Sequence, residues 1–202
     1  DERRVISNVQ VRLGRLVLET GVEPQPDPEA VLDALIGGVA TLGMSCLPWT
    51  NELHAWRDRV MCLRAWCPSL ALPDIGDATL RARMRGWLGP YLYGCTRVSN
   101  IGAGDFANAL KALVDRADHK RIEEGAPTHI TLPNGKAATL EYAENESPVL
   151  ALSLQDAFGL ADSPRVAWGE VPITLALLSP AKRPVQVTQD LAGFWSGSYA
   201  EV

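Results

Sequence analysis

The apolar positions along this chain change period near residue 127, which divides it into a helical stretch and a strand-rich stretch. Before the helices, residues 5–18 alternate apolar and polar through Val5, Val9, Val11 and Leu13, then Leu16 and Leu18. With Gly14-Arg15 between the two runs, this predicts a hairpin or a bent strand pair. Residues 22–28 are polar and Pro-rich, and run into a helix start with Asp27 as N-cap and Pro28 at the first helical position. Val31, Leu32, Leu35, Ile36, Val39 and Leu42 then share one side of a helix ending near Gly43. A second helix from about Thr50 sets Leu53, Trp56, Val60, Leu63 and Cys67 in an amphipathic stripe, with Arg57, Arg59 and Arg64 off it. A third starts at Asp77, carries Leu80, Met84, Trp87 and Leu88 inward, and is stopped by Pro90. A fourth, from about Asp105, turns Phe106, Leu110, Leu113 and Val114 inward and continues or restarts to Gly125.

After Ala126-Pro127 the period becomes two. Residues 129–132 and 139–142 flank Pro133-Asn134-Gly135-Lys136, a hairpin in which Asn-Gly supplies the positive-φ positions. Residues 149–154 and 171–178 read as further strands, with a short turn or helix at 155–159. Residues 179–184 separate 171–178 from Val185-Gln186-Val187, so a second hairpin is expected there. The fold class is therefore α+β: a helical N-terminal part followed by a small curled β-sheet or OB-like barrel. By residues, 1–21 is a strand segment belonging to the preceding or the C-terminal β unit, 28–126 a helical region, and 127–202 a β-rich domain. That domain ends in a helix, on the spacing of Leu191, Phe194, Trp195 and Tyr199. Because the chain opens in a strand pattern and stops at Val202 inside a helical one, both ends read as cuts through a longer protein.

At 202 residues and 47% hydrophobic content, the chain can bury one good core or two small ones. A net charge of −5 argues against a protein that coats itself with nucleic acid, so any such contact is local. Cys46, Cys62, Cys67 and Cys95 fall at no metal-ligand spacing and read as reduced core thiols; no metal is expected. No apolar run reaches the roughly 18 residues of a membrane helix, and no signal segment follows Asp1-Glu2-Arg3-Arg4, so a soluble, cytoplasmic chain with no membrane partner is expected.

Candidate chemistry is sparse. Ile101-Gly102-Ala103-Gly104-Asp105-Phe106-Ala107 matches the Gly-x-Gly-x-x-Ala dinucleotide pattern, but no strand precedes it and Asp105 would repel a phosphate. A turn with Asp105 as helix N-cap fits better. His54 and His119 sit on helix surfaces, and His129 alternates within a strand, so none is read as a catalytic base. Ser153, Ser163 and Ser179 lack a Gly-x-Ser-x-Gly elbow, and no phosphate-cradling Gly-x4-Gly-Lys-Ser/Thr loop occurs. No catalytic residue, cofactor or small-molecule substrate is therefore assigned to the chain.

Basic residues concentrate in 54–97, where Arg57, Arg59, Arg64, Arg81, Arg83, Arg85 and Arg97 interleave with Trp56, Trp66, Trp87, Tyr91 and Tyr93. That mixture suits phosphate contact with base stacking, although ordinary helices also place tryptophans inward and arginines outward. Two hairpin tips carry Lys136 and Lys182-Arg183. Small barrels hold single strands at such loop tips, and the RNA-contact candidates are accordingly Lys136, Lys182, Arg183, Arg81 and Arg85.

Residues 178–195, LSPAKRPVQVTQDLAGFW in one-letter code, resemble the closing signature of HrpB-type ATP-dependent RNA helicases, and the likeness continues through 197–202. Upstream, residues 126–133 with Gly135, 148–151, Leu154-Gln155 with Phe158-Gly159-Leu160, Arg12-Leu13-Gly14, Leu47-Pro48-Trp49 and Trp87-Leu88 fit the same family. The resemblance implies a parent of the DEAH/RHA group in superfamily 2, whose motor domains bind ATP and Mg and translocate on RNA. This chain would be its non-catalytic C-terminal accessory part, with its own motor domains and single-stranded RNA as expected partners. The alternative is a protein-interaction module in which Trp49, Trp66 or Trp168 anchors a partner. A remote third reading is a dinucleotide enzyme built on Gly102 and Gly104.

Overall fold

The computed structural model describes residues 4–23 and 25–197. Along them the strands are β1 (Asn8–Leu13), β2 (Leu16–Val22), β3 (His129–Thr131), β4 (Ala137–Glu141), β5 (Val149–Ser153), β6 (Arg165–Val166), β7 (Val171–Pro172), β8 (Thr174–Leu178) and β9 (Pro184–Thr188). The helices are α1 (Pro28–Leu42), α2 (Asn51–Trp66), α3 (Asp77–Ala82), α4 (Met84–Trp87), α5 (Gly89–Leu92), α6 (Ala103–Lys111), α7 (Arg116–Gly125), α8 (Leu154–Ala157) and α9 (Leu191–Ser196). The chain is α+β, with a helical part followed by a mixed sheet. Two compact units interleave along it: residues up to Leu53 with Ile75–Leu113, and His54–Asp74 with the chain from Val114 on.

In the first unit β1 and β2 form an antiparallel hairpin that turns at Gly14, with a register shift at Val11/Arg12. Its apolar side chains are open to solvent, among them Val9, Val11, Leu13, Leu16 and Leu18. The start of α1 is as expected: the Asp27 carboxylate accepts from the Glu29 and Ala30 amides, satisfying donors that a helix's first turn leaves unpaired. Its buried face of Val31, Leu32, Leu35 and Val39 packs on α4 and α5. The expected single helix from Asp77 is instead three short ones, because Arg83 (φ −107°, ψ 12°) departs from helical backbone and Leu88 begins a new turn. Pro90 therefore opens α5 rather than ending a helix, where its missing N–H costs nothing. Likewise α6 is capped by Gly102, and Asp105 lies inside its first turn rather than at the N-cap. A 3-10 turn at Val98–Asn100 precedes it, not a strand, so the dinucleotide pattern lacks its βαβ setting.

The second unit is built on an open five-stranded sheet of order β3-β4-β5-β8-β9. Among the described residues β3 and β9 do not pair, so of the two expected forms the closed barrel is not the one seen: the sheet is open. The β5–β8 pair is parallel, with Leu150 opposite Leu175 and Leu152 opposite Leu177, while the other pairs are antiparallel. Alternation sends Leu140, Leu150, Leu152, Leu175 and Leu177 into a core completed by Leu191 and Phe194 of α9. The opposite face carries Ala137, Thr139, Glu141 and Ala151, all exposed. The expected final helix is present as α9, capped by Asp190 on the Gly193 amide; Tyr199, which extended that pattern, lies outside the described residues.

α2 differs from a one-sided stripe. Arg59, Val60, Met61, Cys62 and Leu63 are all buried in succession, so Arg59 is not a solvated arginine. It points at the C-terminal end of α7, where Nε donates to the Ala126 carbonyl and Nη2 to that of Ile122 (3.5 Å) and to Glu123 Oε2 (2.8 Å). A basic residue there satisfies carbonyls that the last helical turn leaves unpaired.

Candidate nucleic-acid interface

Both hairpin tips of the second unit use one turn geometry. At the β3–β4 tip the Gly135 amide donates to the Leu132 carbonyl and the Leu132 amide to the Lys136 carbonyl, both at 2.8 Å. At the β8–β9 tip the Lys182 amide donates to the Ser179 carbonyl (2.9 Å) and the Ser179 amide to the Arg183 carbonyl (2.8 Å). Each is a three-residue loop with Pro133 or Pro180 first, where its fixed φ suits the turn, and a left-handed residue last. That last residue is Gly135 (φ 81°) in one and Lys182 (φ 57°) in the other. Asn134 keeps a negative φ, so the positive-φ position expected of it falls to Gly135 alone.

These tips bring Lys136 and Lys182 onto one groove of about 560 Å³ beside the exposed face of the sheet. Thr139, Glu141, Ala151, Asp156 and Pro180 also line it. The two lysines are not equivalent. Lys136 Nζ lies 2.7 Å from Asp156 Oδ1, and the same carboxylate accepts from Asn134 Nδ2 (3.0 Å) and Ser153 Oγ (2.8 Å). The Lys136 contact, then that of Ser153, holds the Asp156 carboxyl below the usual carboxylate range. Among the described residues no carboxylate pairs with Lys182 or Arg183, both exposed on the tip. Of the basic residues on the two hairpin tips, Lys136 is thus the one that a described carboxylate holds.

The remaining candidates belong to the first unit. Arg85 donates to Glu29 Oε2 (2.6 Å) and also pairs with Asp33, so two carboxylates of α1 hold its guanidinium. Arg81 is exposed in the last turn of α3. Of the interleaved aromatics, Trp56 stacks on His119 (5.9 Å, 19°) and Trp66 meets Tyr142 (6.1 Å). Trp87 donates its indole N–H to the Leu80 carbonyl (2.9 Å). His119 is thereby half-buried, while His54 and His129 are exposed. Trp49 packs edge-on against Phe106 (4.9 Å) and bonds the Met44 carbonyl. Trp168 differs: it is 54% exposed, in a run where Ala167, Trp168 and Gly169 all have positive φ.

Sequence reasoning missed Asp156, which pairs with one of the groove's two lysines. Its signal was Ser153-x-x-Asp156, the pattern of a helix start in which a hydroxyl and a carboxylate serve each other, and Ser153 does accept from the Asp156 amide (3.1 Å). The four cysteines are free thiols, and among the described residues no cluster of three or more His, Cys, Asp or Glu is placed to hold a metal. No described helix is long and apolar enough to cross a membrane.

A family model, HrpB_C, described as ATP-dependent helicase C-terminal, matches residues 87–202. The chain is 35% identical over 193 residues to the ATP-dependent RNA helicase HrpB of Escherichia coli K12, a match covering 96% of this chain and 24% of that protein. It is similar to a solved structure of the E. coli DExH-box NTPase HrpB, with a TM-score of 0.80, 34% identity and 95% of this chain covered. A second, of the E. coli DEAH/RHA helicase HrpB, gives a TM-score of 0.75, 33% identity and 96% coverage. The chain spans 24% of the length of each of these relatives.

Proposed function

We propose, because this chain belongs to the HrpB helicase family as its C-terminal region, that it serves an ATP-dependent RNA helicase as a non-catalytic accessory region. In this reading it packs on the motor and touches the RNA path through the β8–β9 tip. ATP and Mg belong to the motor, and the chemistry of hydrolysis stays there. The observation that carries the reading is the tip itself: among the described residues no carboxylate pairs with Lys182 or Arg183, and the tip stands beside an open groove that Lys136 also lines. The open apolar residues of the β1–β2 hairpin supply surface for packing on the rest of the polypeptide.

The test uses the full-length helicase with Lys182 and Arg183 both changed to Ala. RNA affinity should fall almost equally for all sequences, because phosphate contacts position without specifying. The slope of log affinity against log salt should flatten by about 0.7 per lost contact on a single strand. ATPase activity without RNA should stay as it was. An unchanged slope refutes backbone contact at this tip. A protein-interaction role is the second reading, favoured by the exposed Trp168 in its left-handed turn; it predicts that same unchanged slope.

A further inference from the structure

We infer that the apolar cleft next to the groove is a base-stacking subsite for single-stranded RNA, with Phe158 as its platform. The inference rests on the reading that Lys182 and Arg183 meet the RNA backbone. The cleft, of about 330 Å³, is lined by Ser153, Leu154, Gln155, Phe158, Leu178 and Pro180. Ser153, Leu178 and Pro180 also line the groove, so one wall separates a surface that carries charges of both signs, Lys182 among them, from an apolar one. At the small end of the roughly 300–1,000 Å³ typical of ligand sites, its size suits one planar ring.

Phe158 is 49% exposed, so about half of its surface is open to a ligand. It is also held in place. Trp195 stacks on it with ring centroids 5.6 Å apart and planes 25° from parallel, and Trp195 is itself tied by its indole N–H to the Leu160 carbonyl (2.9 Å). The cleft has few groups that read base edges: the Ser153 hydroxyl is committed to Asp156, which leaves the Gln155 amide. A ring that stacks without being read is how single strands are held regardless of sequence, and the phosphates then need cations nearby. Lys182 and Arg183 lie at the turn that begins at Pro180, a wall of the cleft, and among the described residues no acidic one lines it. Of the two described carboxylates that line the groove, Asp156 is already occupied by Lys136, and Glu141 does not line the cleft. These charges favour an anionic occupant, and the exposed ring beside them favours a strand that carries bases over an acidic peptide.

The experiment measures binding of the full-length helicase to a single-stranded oligouridine and to the same strand with abasic sites, at several salt concentrations. Phe158→Leu should bind oligouridine roughly tenfold more weakly than wild type, the loss of one base stack. The penalty for abasic RNA should shrink by a similar factor, the salt slope should be unchanged, and Phe158→Trp should restore both affinity and penalty. If Phe158→Leu weakens binding to normal and abasic RNA alike, the residue acts only structurally and the inference falls. If RNA binding is untouched while ATPase activity without RNA changes, the occupant is protein and the inference also falls. A flattened slope in the Lys182/Arg183 double variant beside a Phe158→Leu variant that binds like wild type sinks the subsite but keeps the backbone reading. An unflattened slope removes the backbone reading and the subsite with it.

Discussion

Changing Arg59 to Met retains most of the aliphatic stem and removes the guanidinium from the end of α7. Arg59 is 4% exposed, and the Ala126 residue whose carbonyl it serves is fully buried. Without the donor, that carbonyl is left dry, at a cost of about 1–3 kcal/mol. Loss of a cation at a helix C-terminus adds about 0.3–1 kcal/mol. The Glu123 side chain is 59% exposed and regains water, so its ion pair contributes under about 1 kcal/mol. Together these give roughly 2–4 kcal/mol, which for a chain of this size lowers the melting temperature by about 6–12 °C. Thermal unfolding followed by far-ultraviolet circular dichroism measures it, with Glu123→Gln as the control, expected to cost under about 1 kcal/mol. If the two variants melt together, Arg59 contributes only its exposed ion pair, and the argument from the buried carbonyl fails.

Gly125→Ala should destabilise by about 1–3 kcal/mol through overpacking, since a Cβ there would stand 2.7 Å from Trp168 Cη2 and 2.9 Å from Leu63 Cδ1. Tryptophan fluorescence should shift as the half-exposed Trp168 ring is pushed outward, and a variant as stable as wild type would show that the turn yields freely. Cys62 should be the last thiol to react with a disulfide reagent at pH 8: burial, then Asp58, Glu144 and Glu146, push its thiol up to about 11, and only the thiolate attacks. Because the folded value lies above the unfolded one, the stability this provides is present below the unfolded thiol's range and is lost as pH rises toward 11; labelling at the rate of an unfolded peptide would contradict it.

Local chemistry was the legible part of the fold. The Asp27 cap, the Gly14 turn and both Pro-led hairpins could be read because each is decided by neighbours within four residues. What could not be read was decided across the chain. The parallel pairing of β5 with β8 joins strands more than twenty residues apart, and a buried leucine in such a pair has the same spacing as one in an antiparallel sheet. Arg59 read as solvated because its partner carbonyls lie over sixty residues away. At the candidate site the sequence supplied Lys136, Lys182 and Arg183 as residue types, but not that Asp156 occupies the first or that α1 carboxylates occupy Arg85. Ion pairs formed between distant segments set which cations remain for a ligand, and spacing carries no sign of them.

The way the two units alternate along the chain bears on how this region can be transplanted or trimmed. The stretch matched by the family model starts at Trp87, after the segment His54–Asp74 that the sheet-bearing unit draws from upstream. A piece beginning there would keep every strand of the sheet yet leave behind Arg59 from the end of α7, Leu63 from beside Gly125, and the Cys62 thiol that donates to the Ala143 carbonyl (3.2 Å). Handling is constrained accordingly: an expression boundary inside residues 54–113 divides both units at once. Cut anywhere in that stretch, the sheet-bearing unit loses some or all of the upstream segment that finishes it.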